Sequence, residues 1–215
     1  MKIYNCRQGS EEWEQIRKGR ATASRFKEIV TPAKLQMSRS AKGYACELVA
    51  ELLGVESPQR PPTYDMEIGT EREPYACEEY ATTTGFDIEE VGFCTPDHTD
   101  RYGMSPDRIV NGEGLLEVKC PKVETLISYH ADGVLPSEYF CQVQGQLWIS
   151  GFDWCDFYAW HPDLEPFKIR VFPELLYAEA MDKAMEEFLD LVDSIHSKVK
   201  RREPFGIDFS GVTYG

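Results

Sequence analysis

Residues 105–121 read SPDRIVNGEGLLEVKCP, and this stretch predicts the arrangement around which the rest of the chain folds. Asn111-Gly112 is a strong turn signal, because both residues tolerate the positive φ that tight hairpins need. Apolar, β-prone residues lie on either side of the turn, which favours two antiparallel strands. Such a hairpin would bring Asp107 back to the side of Glu117.

Three ionisable side chains converge in the predicted hairpin. Glu117 and Lys119 are two residues apart on one strand, so their side chains leave the same face, next to Asp107. Two carboxylates and an ammonium are what metal-assisted phosphodiester hydrolysis needs, because Mg²⁺ takes one or two carboxylates and keeps several waters. Glu-Val-Lys alone is more often a solvated pair, but the complete pattern from Ser105 to Pro121 favours a metal site.

The bulk composition favours one domain with a sizeable core in a reducing compartment. The chain has 215 residues, 42% of them hydrophobic, and no apolar run approaches the ~20 residues that span a bilayer. Its seven cysteines form no C-x-x-C pair and only four histidines accompany them, so neither a zinc site nor a disulfide framework is indicated. We therefore expect a cytoplasmic protein with reduced thiols and no membrane contact.

The charge distribution separates a basic N-terminal arm, residues 1–42, from an acidic remainder. The chain carries a net charge of −14, but the arm holds ten Lys and Arg against four Glu. An acidic body with one basic arm can bind DNA locally and repel it elsewhere. From charge alone, a solvated basic helix face remains the alternative.

Hydrophobic periodicity and breaker residues predict helices, then a mixed sheet, then more helices. Ser10 is expected to cap a helix that ends at Gly19, and a second short helix passes through Phe26 and stops at Thr31-Pro32. Residues 33–42 are expected to be polar and mobile. The other predicted helices are 44–54, 69–84, 123–130, 138–148 and 173–202, and the predicted strands are 86–94, 102–110, 114–120, 154–160 and 167–172. This order predicts one α/β domain over residues 1–215, with a central mixed β-sheet flanked by helices.

Five short blocks occur in a specific order between residues 13 and 148. They are Trp13…Arg17-x-Gly19-x-Ala21-Thr22-Ala23-Ser24, Gly69…Glu73, Ser105-Pro106-Asp107, Leu116-Glu117-Val118-Lys119-Cys120-Pro121 and Gln142-Val143-Gln144. Together they resemble the phage lambda exonuclease, or YqaJ-type viral recombinase, family of the PD-(D/E)XK nuclease superfamily. The resemblance implies a restriction-endonuclease-like core.

The same resemblance implies a metal centre with two Mg²⁺ ions, for which Mn²⁺ is expected to substitute. Asp107, Glu117 and the backbone carbonyl of Val118 would hold the first ion, and Glu73 would serve the second. Without the family, Glu73 reads as a solvent-exposed residue of a Glu-rich helix.

The resemblance assigns two further residues to catalysis. Lys119 would position or activate the attacking water and stabilise charge on the scissile phosphate, and Gln142 would contact the substrate or that water. Gln144 would lie behind them. Without the family, both glutamines read as a polar helix face.

Arg17, Ser24 and Ser105 match the residues that grip a 5′-phosphate in this family. A planar guanidinium and hydroxyl donors suit phosphate oxygens. By itself, Arg17 could equally be a surface ion-pair partner of Glu12 or Glu14. Arg25 is a weaker candidate for contacts to the DNA backbone.

The family's members are 5′→3′ exonucleases, so the resemblance implies degradation of one strand of linear double-stranded DNA from 5′-phosphorylated ends. The surviving 3′ overhang would serve single-strand-annealing recombination. The resemblance also implies a homotrimeric ring, a single-strand annealing protein as partner, and a phage or prophage origin in a bacterial cell. The segments 57–63 and 205–215 are candidate oligomer contacts. The alternatives are a sequence- or structure-specific endonuclease on the same metal core and a non-catalytic module that binds DNA ends.

Two positions depart from the family pattern. Pro74 follows Glu73, which favours a helix that begins later than Gly69, because proline is tolerated in the first turn. Arg108 follows Asp107, where a small residue such as glycine is expected. Its guanidinium could contact a phosphate or pair with an acid.

Overall fold

A computed structural model describes residues 1–55, 61 and 63–202 of the chain. Its α-helices are α1 (Glu11–Arg17), α2 (Ala41–Leu52), α3 (Tyr64–Thr84), α4 (Val123–Asp132), α5 (Ser137–Ser150) and α6 (Leu175–His196), with a 3₁₀ helix at Ala23–Glu28. Its strands are β1 (Lys2–Tyr4), β2 (Ala21–Thr22), β3 (Val30–Thr31), β4 (Gln36–Met37), β5 (Ile88–Glu89), β6 (Phe93–Thr95), β7 (Tyr102–Gly103), β8 (Arg108–Val110), β9 (Gly114–Lys119), β10 (Trp154–His161) and β11 (Leu164–Val171).

The predicted central sheet is mixed and has five strands in the order β11-β10-β9-β8-β5. Strand β9 pairs antiparallel with β8 and parallel with β10, while β10-β11 and β8-β5 are antiparallel pairs. Three small two-stranded sheets join β1 to β6, β2 to β7 and β3 to β4. The α/β fold class with helices flanking a mixed sheet is therefore confirmed.

The predicted hairpin lies at the centre of this sheet. Asn111 and Gly112 both have positive φ, at 51° and 72°, so the turn has the backbone that the Asn-Gly pair favours. Val110 lies opposite Gly114 and Arg108 opposite Leu116. This register places Asp107 beside Glu117 and Val118 of β9.

The two faces of β9 contact different helices, because successive side chains of a strand point to opposite sides. Leu116 and Val118 share a buried cluster with Cys77 and Tyr80 of α3. Leu115 belongs to the larger core, together with residues of α5 such as Val143 and Leu147. Glu117 and Lys119 share the face of Leu115, so α5 covers the face that carries the predicted catalytic side chains.

Several predicted boundaries were wrong. Residues 33–42, for which no regular structure was predicted, contain β4 of the β3-β4 hairpin and the start of α2. The predicted strand 102–110 is interrupted between β7 and β8, and 86–94 contains only the short strand β5 and the start of β6. The second predicted helix is a 3₁₀ turn that ends at Glu28. Helix α6 is shorter at both ends than the predicted 173–202.

Helix α3 begins earlier than predicted, at Tyr64, and contains Pro74 in its interior. The sequence argument overlooked Thr63, whose side chain accepts a hydrogen bond from Met66 N at 3.4 Å and caps the helix. The other predicted helices and strands are present with shifts of a few residues. The expected oligomer contacts at 57–63 and 205–215 lie outside the described residues, except for positions 61 and 63.

No helix in the described part of the chain is long and apolar enough to cross a membrane.

Close packing of α5 against the 3₁₀ helix joins the N-terminal arm to the sheet. A Cβ atom on Gly145 would lie 2.3 Å from Cδ2 of Phe26, so only glycine allows this approach. Phe26 is fully buried and its ring cannot move aside cheaply. This contact sets the distance between the Ser24 region and the inward face of α5.

We therefore predict that Gly145→Ala destabilises the protein by about 1–3 kcal/mol, the usual cost of overpacking a core. Urea denaturation measures the change in the free energy of unfolding. Gly43→Ala is the matched control, because Gly43 lies inside α2 with open space around its would-be Cβ. The control should gain roughly 0.5–1 kcal/mol from helix propensity. Equal effects of the two substitutions would contradict this role of Gly145.

Candidate active site

A buried carboxylate, that of Glu117, is the centre of the site. Glu117 is 1% exposed and accepts hydrogen bonds from three side chains. Gln142 Nε2 donates to Oε1 at 2.5 Å, Gln146 Nε2 donates to Oε2 at 2.7 Å, and Lys119 Nζ also donates to Oε1. A buried charge is tolerated only with such partners. The predicted catalytic residues Glu117, Lys119 and Gln142 are thus in direct contact.

Asp107 lies beside this group, as the hairpin predicted. Its Oδ2 accepts a hydrogen bond from the backbone N–H of Val118 at 2.5 Å. Burial raises the pKa of Asp107 well above its usual range, and the charges of Glu117 and Glu73 raise it further, although Lys119 and the Val118 N–H oppose them. Two close carboxylates repel each other when both are ionised, so a nearby positive charge stabilises their ionised forms.

Lys119 remains an ammonium in this setting. Burial by itself lowers the pKa of Lys119, but the neighbouring charges of Glu117 and Asp107 outweigh it, and the pKa lies above its ordinary value. A lysine that holds its proton this firmly donates hydrogen bonds and stabilises negative charge. It is therefore better suited to orienting a water molecule or a phosphate oxygen than to removing a proton.

Glu73 approaches the same end of the sheet from α3. It is about one-third exposed and forms an ion pair with Arg108, whose Nη1 lies 3.4 Å from its Oε1. Burial raises the pKa of Glu73, Arg108 and Lys119 lower it, and Glu117 raises it. Glu73 therefore interacts electrostatically with the cluster, but its hydrogen-bonding partner is Arg108.

The donor set at Asp107 and Glu117 fits a hard divalent cation. Mg²⁺ is usually held in proteins by one or two carboxylates, with waters and substrate oxygens as its remaining ligands. No cluster of three or more His, Cys, Asp or Glu arranged for a metal ion occurs among residues 1–55, 61 and 63–202. The two carboxylates would thus depend on water, backbone or substrate oxygens to complete the coordination.

A cavity of about 140 Å³ adjoins these residues. It has roughly ten times the ~10–15 Å³ that one water requires, which leaves room for a phosphate group with its waters. Its lining residues come from the N-terminal arm, the Ser105 segment and α5: Gln8, Trp13, Arg17, Thr22, Ala23, Ser24, Ser105, Gln142 and Gln146. The structure thus brings three of the four predicted DNA-binding residues together, and α5 connects them to Glu117.

Arg17 supplies a positive charge to this cavity. Its guanidinium lies 3.7 Å from the centre of the Trp13 ring, on which it stacks. Within the described residues it forms no ion pair, so the alternative partners Glu12 and Glu14 are not bound to it. Burial lowers the pKa of Arg17, while Tyr44, Glu51 and Glu14 at longer range oppose that effect.

The two serines of the cavity are held in place by neighbours. Ser105 Oγ accepts a hydrogen bond from Trp13 Nε1 at 2.9 Å, which leaves its own O–H available as a donor. Ser24 Oγ lies 3.3 Å from Thr22 Oγ1. Trp13 therefore positions both the guanidinium and one hydroxyl of the predicted phosphate site.

Arg25, the fourth predicted DNA-binding residue, does not line the cavity. It is bound to Glu28 at 2.7 Å and to Glu47 at 2.6 Å, and it stacks on the ring of Tyr44. These partners neutralise its charge. A role for Arg25 in binding the DNA backbone stays a prediction.

Sequence reasoning missed Gln146 and assigned its position behind the site to Gln144 instead. Residues four apart share one helix face, whereas residues two apart do not, so Gln142 and Gln146 both reach Glu117. Gln144 turns away, donates to the carbonyl of Phe172 at 2.9 Å and accepts from Glu174 N at 2.8 Å. The i, i+4 spacing was the signal that could have identified Gln146.

Gln8 was also missed, and no local pattern marks it. Its Nε2 donates to the carbonyls of Val91 and Pro106, each at 2.8 Å, and this fixes the backbone next to Asp107.

The sheet and the carboxylate pair define a nuclease fold of the PD-(D/E)XK type. The chain belongs to the family of the YqaJ-like viral recombinase domain, whose sequence profile matches residues 12–153. The alkaline exonuclease LHK-Exo from Laribacter hongkongensis is 30% identical, with a TM-score of 0.78 over 88% of this chain and 95% of that one. Its complex with dAMP gives a TM-score of 0.79 at the same identity and coverage.

A phage-related exonuclease from Haemophilus somnus 129PT shares the fold at 13% identity, with a TM-score of 0.62 over 83% of this chain and 96% of that one. The search of curated proteins gave no significant match.

We predict that Gln146→Met lowers the free energy of unfolding by about 1.5–3 kcal/mol, the usual value of a hydrogen bond to a charged group. Methionine keeps a similar volume but leaves Glu117 Oε2 buried without this donor. Urea denaturation without divalent ions measures the effect. Gln15→Met, on the exposed part of α1, is the control and should change stability by less than ~0.5 kcal/mol. A neutral Gln146→Met would show that this contact does not stabilise Glu117.

Proposed function

We propose that the protein is a Mg²⁺-dependent 5′→3′ exonuclease that degrades one strand of linear double-stranded DNA from 5′-phosphorylated ends. The observation that carries this proposal is the shared wall between the cavity and the carboxylates. Gln142 and Gln146 line the cavity of Arg17 and also donate hydrogen bonds to Glu117. A phosphate in the cavity would therefore lie next to the cleavage centre.

This adjacency favours an enzyme that acts on DNA ends. Arg17 and the two serines offer a charged fork and hydroxyl donors, the groups that bind a terminal phosphate dianion most strongly. A strand held by its terminal phosphate presents a phosphodiester close to that end to Glu117. The expected products are 5′-mononucleotides, and the relative LHK-Exo has been observed in complex with the mononucleotide dAMP.

The residues of the site divide the chemistry between them. Asp107 and Glu117, with the carbonyl of Val118, would hold the first Mg²⁺, and Glu73 would serve a second ion. Bound Mg²⁺ would supply a more acidic water and neutralise charge on the phosphate. Lys119 would keep its proton and donate to the phosphate or to the attacking water.

Gln142 and Gln146 would orient the reacting groups. Each now donates to Glu117, and Gln142 could exchange that contact for the substrate or for water. Gln146 Oε1 is buried and has no hydrogen-bond partner within the described residues, so it can accept from a water molecule.

The proposals on oligomeric state, partner protein, origin and cellular location rest on the family alone. We propose a homotrimeric ring, a single-strand annealing protein as partner for the 3′ overhang, and a phage or prophage origin with action in the bacterial cytoplasm. Mn²⁺ is expected to substitute for Mg²⁺.

The decisive experiment is digestion of linear duplex DNA labelled separately at each 5′ and 3′ end, beside a closed circular duplex. We expect Mg²⁺-dependent loss of the 5′ label first, faster digestion of 5′-phosphorylated ends, and an intact circle. Cleavage of the circle would support an endonuclease. Binding without cleavage in Mg²⁺ or Mn²⁺ would support the non-catalytic module.

We predict that Lys119→Ala abolishes cleavage, with a loss of at least about 10³-fold in rate, because a preorganised donor to developing charge is removed. DNA binding should change little, since the carboxylates and the cavity remain. Filter binding and a single-turnover cleavage assay measure the two properties. Lys183→Ala, on the exposed face of α6, is the matched control. Near-normal cleavage by Lys119→Ala would contradict the assignment.

We predict that Arg17→Gln chiefly removes the preference for phosphorylated ends. A charge-assisted hydrogen bond contributes about 1.5–3 kcal/mol, so the rate ratio of 5′-phosphorylated to 5′-hydroxyl duplex should fall by roughly 10- to 100-fold. Rates on hydroxyl-ended DNA should stay close to those of the wild type. Arg101→Gln also removes one arginine, but one that pairs with Asp193 outside the cavity. An unchanged ratio in Arg17→Gln would exclude the phosphate role.

A further inference from the structure

Arg108 is an arginine that contacts two of the acidic residues of the site, one through its carboxylate and one through its backbone. It directly follows Asp107 and lies opposite Leu116 on the α3 side of the sheet. Its side chain is only 13% exposed. Nη1 donates to the carbonyl oxygen of Asp107 and to Glu73 Oε1, the latter at 3.4 Å. The guanidinium is thus held at the site by two acceptors.

The charges around this arginine do not balance without a metal ion. In their ionised forms Asp107, Glu117 and Glu73 bring three negative charges, and Lys119 and Arg108 bring two positive ones. The remaining unit of negative charge favours one divalent cation. A second divalent cation would add two positive charges next to a guanidinium that already neutralises Glu73, and the repulsion opposes its binding.

We propose that Arg108 is a positioning residue that holds Glu73 and competes with a divalent cation for this carboxylate. This inference rests on the proposed metal site at Asp107 and Glu117. The protein without DNA then binds one divalent ion tightly, at Asp107 and Glu117, and a second one only weakly, at Glu73. Arg108 thereby sets the concentration of Mg²⁺ or Mn²⁺ at which the second ion enters.

The physical reason lies in the different demands of the two cations on Glu73. A guanidinium binds a carboxylate through directed N–H bonds and is easily accommodated in a half-buried site. A divalent ion needs the same oxygens as ligands, so Arg108 must release them before the ion can bind. Replacing Arg108 by a neutral residue would leave Glu73 without its main counter-charge and strengthen its attraction for a cation.

The test is a titration of the whole protein with Mn²⁺ in the absence of DNA, followed by electron paramagnetic resonance of the free ion. We expect one tight and one weak ion in the wild type. Arg108→Gln should tighten the weaker ion at least about tenfold, within the usual range of coupling between two binding events. Arg108→Lys should stay near the wild-type value, because it keeps the positive charge.

A double substitution shows whether the effect passes through Glu73. Arg108→Gln combined with Glu73→Gln should lose the gain, whereas Arg101→Gln, which removes an arginine elsewhere, should bind Mn²⁺ as the wild type does. An unchanged second ion in Arg108→Gln, or a gain that persists without Glu73, would overturn the inference.

The tight ion tests the metal site itself. Glu117→Gln should abolish or greatly weaken it. If the wild type binds no Mn²⁺, or if the tight ion survives in Glu117→Gln, then both the metal site and the role of Arg108 fail. If the tight ion depends on Glu117 but Arg108→Gln changes nothing, only the inference about Arg108 fails.

Discussion

The buried carboxylate of Glu117 is the constraint on which the site depends. A charge with 1% exposure requires donors on both oxygens, and three side chains from β9 and α5 provide them. The same requirement fixes α5 over one face of β9 and turns Gln142 and Gln146 inward. Because these glutamines also line the cavity of Arg17, they connect the buried carboxylate of Glu117 to that cavity.

The N-terminal arm completes this arrangement through packing rather than through charge. Gly145 lets the 3₁₀ helix approach α5, and Trp13 supports both Arg17 and Ser105. The surplus of positive charge in the arm is less available than the sequence suggested, since Arg25 is neutralised by two glutamates. In the proposed function, recognition of a DNA end would therefore depend on the guanidinium of Arg17 in its cavity more than on a basic surface.

Local patterns predicted the hairpin and the placement of Asp107 beside Glu117, because the Asn-Gly turn and strand alternation determine both. Ordered motifs predicted Arg17, Ser24, Ser105 and Gln142 of the cavity, but not Gln8 or Gln146. The remaining features depend on tertiary contacts. The packing of α5 decides which of its glutamines face Glu117. Glu47, one partner of Arg25, and Glu73, the partner of Arg108, lie 22 and 35 residues away in the chain. The start of α3 was missed because its capping residue, Thr63, was overlooked in the sequence.

The central claim is that the carboxylates and the Arg17 cavity act as one site on a 5′-phosphorylated end. Crystals of Lys119→Ala with Mn²⁺ and a 5′-phosphorylated duplex test it most directly, through the anomalous signal of the metal and the position of the terminal phosphate. We predict Mn²⁺ bound to Asp107 and Glu117, and the phosphate in the cavity against Arg17, Ser24 and Ser105. A terminal phosphate outside the cavity, or Mn²⁺ bound away from these carboxylates, would contradict the account.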